Sequence, residues 1–141
     1  MNRLIFIFLF FASFIGTSCA QNLEKQISSV VKTFTQGGDS YDLAKLESSL
    51  HADYRMVWHD GQNAQAFIAD KTTFVDKVKS KEWGGDSRKV RIEEVHIISE
   101  ANAYVKATLK GDKADFFSHY TLINSEGKWQ IVHELVTAQF K

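Results

Sequence analysis

The feature that most constrains the fold is the two-residue alternation that runs through the C-terminal half of the chain. From Asp86 onward, apolar and polar residues trade places with period two, which is the period of a strand with one buried face. Ala103, Val105, Ala107 and Leu109 alternate with Tyr104, Lys106, Thr108 and Lys110. Val90 and Ile92 share one parity while Val95 and Ile97 take the other. An extra residue at Glu93-Glu94, a β-bulge, would restore the face and bend a long strand. Gly111-Asp112 turns the chain, and two further strands, Ala114 to Ile123 and Lys128 to Phe140, flank Asn124-Ser125-Glu126-Gly127, read as a type I turn with its closing glycine. The C-terminal half is thus expected to be a four-stranded antiparallel meander.

The N-terminal half has a different period. Leu23, Ile27, Val30, Val31 and Phe34 form one stripe of a helix from Asn22 to Gln36, and Gly37-Gly38 is expected to end it. Asp39 or Ser40 then caps a short second helix with Leu43, Leu46 and Leu50 on one side. Tyr54 to Trp58 has strand composition, Asp60-Gly61 makes a turn, and a third helix runs from about Thr72 to Ser80 with Phe74, Val75 and Val78 inward. Three helices with one early strand or hairpin, followed by the meander, predict an α+β cone: a curved antiparallel sheet with three N-terminal helices packed on its concave face.

Residues 1–20 stand apart. Asn2-Arg3, the apolar run Leu4 to Phe11 and the small residues before Ala20 have the order of a secretory signal peptide, and a run broken by Ser13 is short for a transmembrane span. Cleavage after Ala20 leaves a domain of residues 21–141. Thr17-Ser18-Cys19 also resembles a lipobox, which would instead leave a lipoprotein anchored through Cys19. Either route exports the domain, to the periplasm or beyond.

Composition excludes several classes of chemistry. Seventeen basic residues balance seventeen acidic ones, so the one-sided positive field of a nucleic-acid binder is missing. With a single Cys, in the leader, and no Pro, the chain has no internal disulfide, no cysteine zinc site and no iron–sulfur cluster. The H-E-x-x-H, G-x-G-x-x-G, P-loop and G-x-S-x-G motifs are missing as well. No cofactor is therefore expected, and any chemistry falls to His, carboxylates, Tyr or backbone.

Pairing Asn124 with Lys128 around the turn puts His119 directly opposite His133, their Cβ atoms about 4.5 to 5.5 Å apart. That face also carries Phe117, Thr121, Ile123, Trp129, Ile131 and Leu135 and is assigned to the concave side. Two imidazoles there would couple their titration and could act as acid and base, satisfy each other as pocket lining, or ligate a metal. Glu134, Tyr120, Leu122, Val132 and Val136 fall on the opposite face, an apolar patch that calls for a partner subunit. His51 and Asp53 are read as closing the second helix, Asp60 as making its turn or orienting His59, and His96, Glu93 and Glu94 as solvated edge charge.

Gly38-Asp39, Leu46 to Asp53, Asp60-Gly61, Thr73-Phe74-Val75, Val90-Arg91-Ile92, Ala103 to Ala107, Tyr120 to Ile123 and Gly127 to Val132 together resemble the nuclear transport factor 2-like superfamily, within it the SnoaL-like polyketide-cyclase and lumazine-binding branches. The resemblance covers nearly all of residues 21–141. It implies a cone-shaped fold with a pocket between helices and sheet, often a homodimer through the sheet, and no single function. It places Tyr54, Trp58 and His59 near the pocket mouth. His119 stands where the lumazine-binding branch usually has Asp, and His133-Glu134 where it usually has Asn-Lys. The expected ligand site is therefore Tyr54, Trp58, His59, Phe117, His119, Trp129 and His133, with His119, His133 and Tyr54 as candidate catalytic groups and no metal. Two functions remain: an exported domain binding a small apolar or aromatic molecule, or a cofactor-independent isomerase, dehydratase or cyclase.

Overall fold

A computed structural model describes residues 15–141. The leader expected over residues 1–20 lies outside the described residues except for its last turns, which begin the first helix and leave Cys19 and Ala20 exposed. In chain order the elements are α1 (Ile15–Ser40), α2 (Leu43–Ser49), β1 (Leu50–Asp60), β2 (Ala66–Asp70), α3 (Lys71–Lys79), β3 (Lys89–Ile97), β4 (Asn102–Lys110), β5 (Ala114–Ser125) and β6 (Lys128–Phe140). Among the described residues no helix is long and apolar enough to cross a membrane.

Strands β3 to β6 form the expected antiparallel meander, and the whole sheet has the order β2-β1-β6-β5-β4-β3. It is a mixed sheet rather than an antiparallel one, because β1 arrives from the helical half and lies parallel to β6. The bulge predicted in β3 is present: register slips between Ile92 and Glu94, which returns Val95 and Ile97 to the side of Val90 and Ile92. Glu93, the extra residue, is held by the Thr108 hydroxyl at 2.6 Å.

The α1 stripe is buried as its spacing requires, with Ile27, Val31 and Phe34 in one cluster with Leu46, Leu50, Val105, Tyr120 and Leu122. Each such side chain contributes roughly 1.5–3 kcal/mol. Gly37 and Gly38 do not end α1; the helix runs on to Ser40, and Tyr41 takes the left-handed conformation at φ 58°. The glycines serve contact instead. A Cβ on Gly37 would press on Leu46 at 3.0 Å, and one on Gly84, itself at φ 88°, would collide with the Gly38 carbonyl. Asp42, not Asp39 or Ser40, caps α2 by accepting the Lys45 N–H at 3.2 Å. Asp39 is thereby left to grip Arg88 at 2.6 Å, with both side chains mostly buried. His51 and Asp53 lie on β1, where the His51 Nδ1 accepts the Asp53 N–H at 3.1 Å, and Leu50 ends α2.

Candidate functional site

The β5–β6 hairpin decides which side chains face the helices. Its loop is only Glu126-Gly127, both residues at positive φ (54° and 83°), so Ser125 pairs with Lys128 and Asn124 with Trp129. This is the type I′ geometry whose twist suits a hairpin, in place of the longer type I turn expected. A second irregularity follows. Leu122 pairs with Ile131 but Thr121 with His133, which leaves Val132 as a bulge. His119 therefore opposes Leu135, and His133 opposes Thr121. The two imidazoles do lie on one face, offset from each other, but it is the face turned away from the helices.

The expected assignment of faces thus holds for Trp129 and Ile131, which are buried, and is inverted along β5 and, in β6, beyond the Val132 bulge. Tyr120, Leu122, Glu134 and Val136 are buried against the helices, so they are not a dimer surface. Phe117 and Leu135 are 44% and 47% exposed on the outside, in the company of His119 and of Tyr104, which stacks between His119 and His96. His59 lies outward beside Thr137 and Ala66, and Asp60 does not orient it: the Asp60 carboxylate accepts the N–H groups of Gln62 and Asn63 to make the turn. Hydrogen bonding to Asn63 holds that carboxyl below its usual range. Trp129 is buried at the hairpin end with its indole N–H unpartnered.

The inner face opens into a cavity of about 420 Å³ between the sheet, α1, α3 and the loop that follows α3. Its walls are aromatic: Phe34 from α1, Trp58 from β1, Phe67 from β2, Phe74 from α3, Trp83 from the loop, Phe116 from β5 and Phe140 from β6. These rings form a chain of contacts, Trp58 to Phe67 at 4.8 Å, Phe67 to Trp83 at 5.4 Å, Trp83 to Phe74 at 5.8 Å and Phe74 to Phe34 at 5.4 Å. Tyr54 lies behind this wall, 5.8 Å from Phe74. Arg88 and Lys113 stand among the lining residues with Glu82 and Asp86. Arg88 is tied to Asp39 and to the Thr35 carbonyl, Glu82 to Lys77, and the Asp86 carboxylate accepts the N–H groups of Asp112 and Lys113.

Glu134 also lines the cavity and is only 4% exposed. One carboxyl oxygen accepts the Tyr54 hydroxyl at 2.7 Å and the other the Ser118 hydroxyl at 3.1 Å. Burial pushes its carboxyl above the ordinary range, and the hydrogen-bond donors around it and the Arg88 charge offset only part of that. The same burial, with the Glu134 carboxylate, drives the Tyr54 and Tyr120 phenols well above 10.0. Tyr120 lies close enough to Glu134 and Ser118 to feel both, yet its hydroxyl has no partner in bonding geometry. No cluster of three metal-ligating side chains occurs among the described residues.

Of the residues expected at the site, Trp58 lines the cavity and Tyr54 braces its carboxyl, while His59, Phe117, His119 and His133 are on the outer face and Trp129 is in the core. Glu134, Phe116, Phe34, Phe67, Phe74, Trp83 and Phe140 were missed. A signal existed: Ala114, Phe116, Ser118, Tyr120 and Leu122 form an uncharged row, whereas the alternate row holds Asp115 and His119.

Three helices on one face of an open six-stranded sheet, enclosing an aromatic cavity with the buried acids Glu134 and Asp86 in its lining, define an α+β domain of the nuclear transport factor 2-like, or cystatin-like, class. Residues 22–135 match the family described as "Putative lumazine-binding", and the chain belongs to that family. No curated protein matches the sequence. Among solved structures, an NTF2-like protein of unknown function from Shewanella baltica superposes with a TM-score of 0.73 at 15% identity, covering 86% of this chain and 97% of that one. A ketosteroid isomerase-like protein from Erwinia carotovora gives 0.64 at 16% identity over 84% and 97% of the two chains. A cystatin-like protein of unknown function from Nostoc punctiforme gives 0.62 at 12% identity over 82% and 90%.

Proposed function

We propose that this chain is an exported binding protein for a small, flat, apolar or aromatic molecule, held in the cavity between α1, α3 and the sheet. The observation that carries the reading is the cavity itself: about 420 Å³, within the range of small-molecule sites, with apolar walls and few polar groups converging on its floor. Trp58 and Trp83 line it, so a bound aromatic molecule should quench their fluorescence. Native mass spectrometry of protein from its own source is expected to show a retained small molecule, and Val136→Phe, which fills the cavity from β6, is expected to abolish both retention and quenching while the fold persists. Undiminished binding by Val136→Phe would overturn the reading.

A second reading is supported by Glu134. A buried carboxyl that holds its proton unusually well, at the floor of an apolar cavity, is suited to moving protons on and off carbon, as in an isomerase. Glu134 takes the part first given to the outward-facing histidines. Exchange of solvent deuterium into a bound ketone, lost in Glu134→Gln, would favour this reading over simple binding.

The leader supports export, through cleavage after Ala20 or lipidation of Cys19; the intact mass of the processed protein separates the two. Self-association belongs to the outer sheet face, where Phe117, Leu135 and Ile68 are exposed.

A further inference from the structure

We infer that the molecule held in the cavity is an organic cation, a primary or quaternary ammonium on a flat apolar body, with its positive end on Glu134. This rests on the binding reading above and names the ligand class for the same site.

Three observations carry it. Glu134 has both carboxyl oxygens fixed as acceptors, by Tyr54 at 2.7 Å and Ser118 at 3.1 Å. When the carboxyl is ionised, the remaining lone pairs of both oxygens can receive N–H donors or face a positive charge. Next, among the described residues no cation hydrogen-bonds to or ion-pairs with Glu134, and Arg88 acts on it only through its charge. Arg88 spends its Nε on Asp39 at 2.6 Å and an Nη on the Thr35 carbonyl at 3.3 Å, and Lys113 is an exposed residue of the β4–β5 connection. Finally, Glu134 lines the same cavity as the rings of Trp58, Phe67, Trp83 and Phe74, which are in continuous contact with one another. Aromatic faces attract cations, tryptophan most strongly, and desolvated cages of this composition recognise ammonium groups. A buried carboxylate that lacks a counter-ion is costly, and an incoming cation supplies one.

Binding then carries a proton balance. At pH values where Glu134 still holds its proton, which burial favours, that proton leaves to bulk water as the ammonium arrives. The other ionisable groups facing Glu134 are the Tyr54 and Tyr120 phenols, which stay neutral, and the Arg88–Asp39 pair; Glu82, Asp86 and Lys113 lie elsewhere along the lining.

The test compares 2-naphthylmethylammonium with its neutral isostere 2-naphthylmethanol by titration calorimetry in buffers of different ionisation enthalpy. At about pH 8 the amine is expected to bind at least about tenfold more tightly than the alcohol, and to lose its advantage as the pH falls into the range where Glu134 holds its proton, where binding releases protons. Glu134→Gln, checked for folding by circular dichroism, should bind the two compounds equally. Trp83→Leu, which leaves the carboxyl in place, should reduce the amine's advantage without abolishing it. If the alcohol binds the wild type as tightly as the amine, or the amine keeps its preference in Glu134→Gln, the cation inference falls and the pocket reading stands. If neither compound binds, both fall.

Discussion

Removing the same atom from two neighbouring buried tyrosines should give two different results. Tyr54 and Tyr120 are both almost wholly inaccessible, and both pack around Phe34, with ring centroids at 6.3 and 6.0 Å. Only Tyr54 has a partner, donating to Glu134 at 2.7 Å. Tyr54→Phe leaves that oxygen of a buried carboxyl without its donor, a loss of about 1–3 kcal/mol. For a domain of this size each kcal/mol is worth roughly 3–6 °C in Tm, so a fall of roughly 3–18 °C is expected. Tyr120→Phe removes a hydroxyl that was desolvated without compensation, so the change should lie within about 1 kcal/mol of zero or be stabilising. Urea and thermal unfolding of the processed chain, followed by far-ultraviolet circular dichroism, measures both. Equal losses would show that Tyr120 donates to Glu134 as Tyr54 does, and a larger loss for Tyr120→Phe that it is the principal donor; either refutes the account of the site.

The remaining expectations are briefer. Glu134 has a raised carboxyl pKa through burial, so its favourable contribution is full below the ordinary carboxylate range and is lost as the pH rises toward the folded-state value; the stability of wild type relative to Glu134→Gln should fall across that interval, and a flat difference would argue that the carboxyl is solvated. Gly84→Ala forces a Cβ against the Gly38 carbonyl at φ 88°, and a loss of more than about 1 kcal/mol is expected in denaturant unfolding, together with weakened ligand binding, because the loop carrying Trp83 must shift. His119→Gln and His133→Gln should leave ligand affinity unchanged by calorimetry, since both side chains lie across the sheet from the cavity. Leu135→Glu should reduce self-association in sedimentation equilibrium without lowering Tm, because Leu135 is largely solvent-accessible in the single chain.

Local pattern was enough for the elements and for the class of fold. The Leu23 to Phe34 stripe, the alternation through β4 and the bulge at Glu93 all follow from the period of a helix or strand with one buried side, which is a property of adjacent residues. The family resemblance likewise came from the order of short phrases. The site was less legible, because a strand's period says which residues share a face and not which face is covered. A two-residue type I′ loop and a single bulge at Val132 changed the partners across the β5–β6 hairpin and put Glu134 inside and the histidines outside. Composition pointed both ways there: Phe116 and Phe117 are identical neighbours, and only the packing of α1 and α3 onto one side of the sheet makes the first a cavity wall and leaves the second in solvent. The cavity gathers side chains from seven separate segments, so no stretch of sequence announces it. The tertiary structure alone decides that a glutamate between His133 and Leu135 is a buried acid of an aromatic pocket, because its burial depends on what lies above the sheet rather than on its neighbours in the chain.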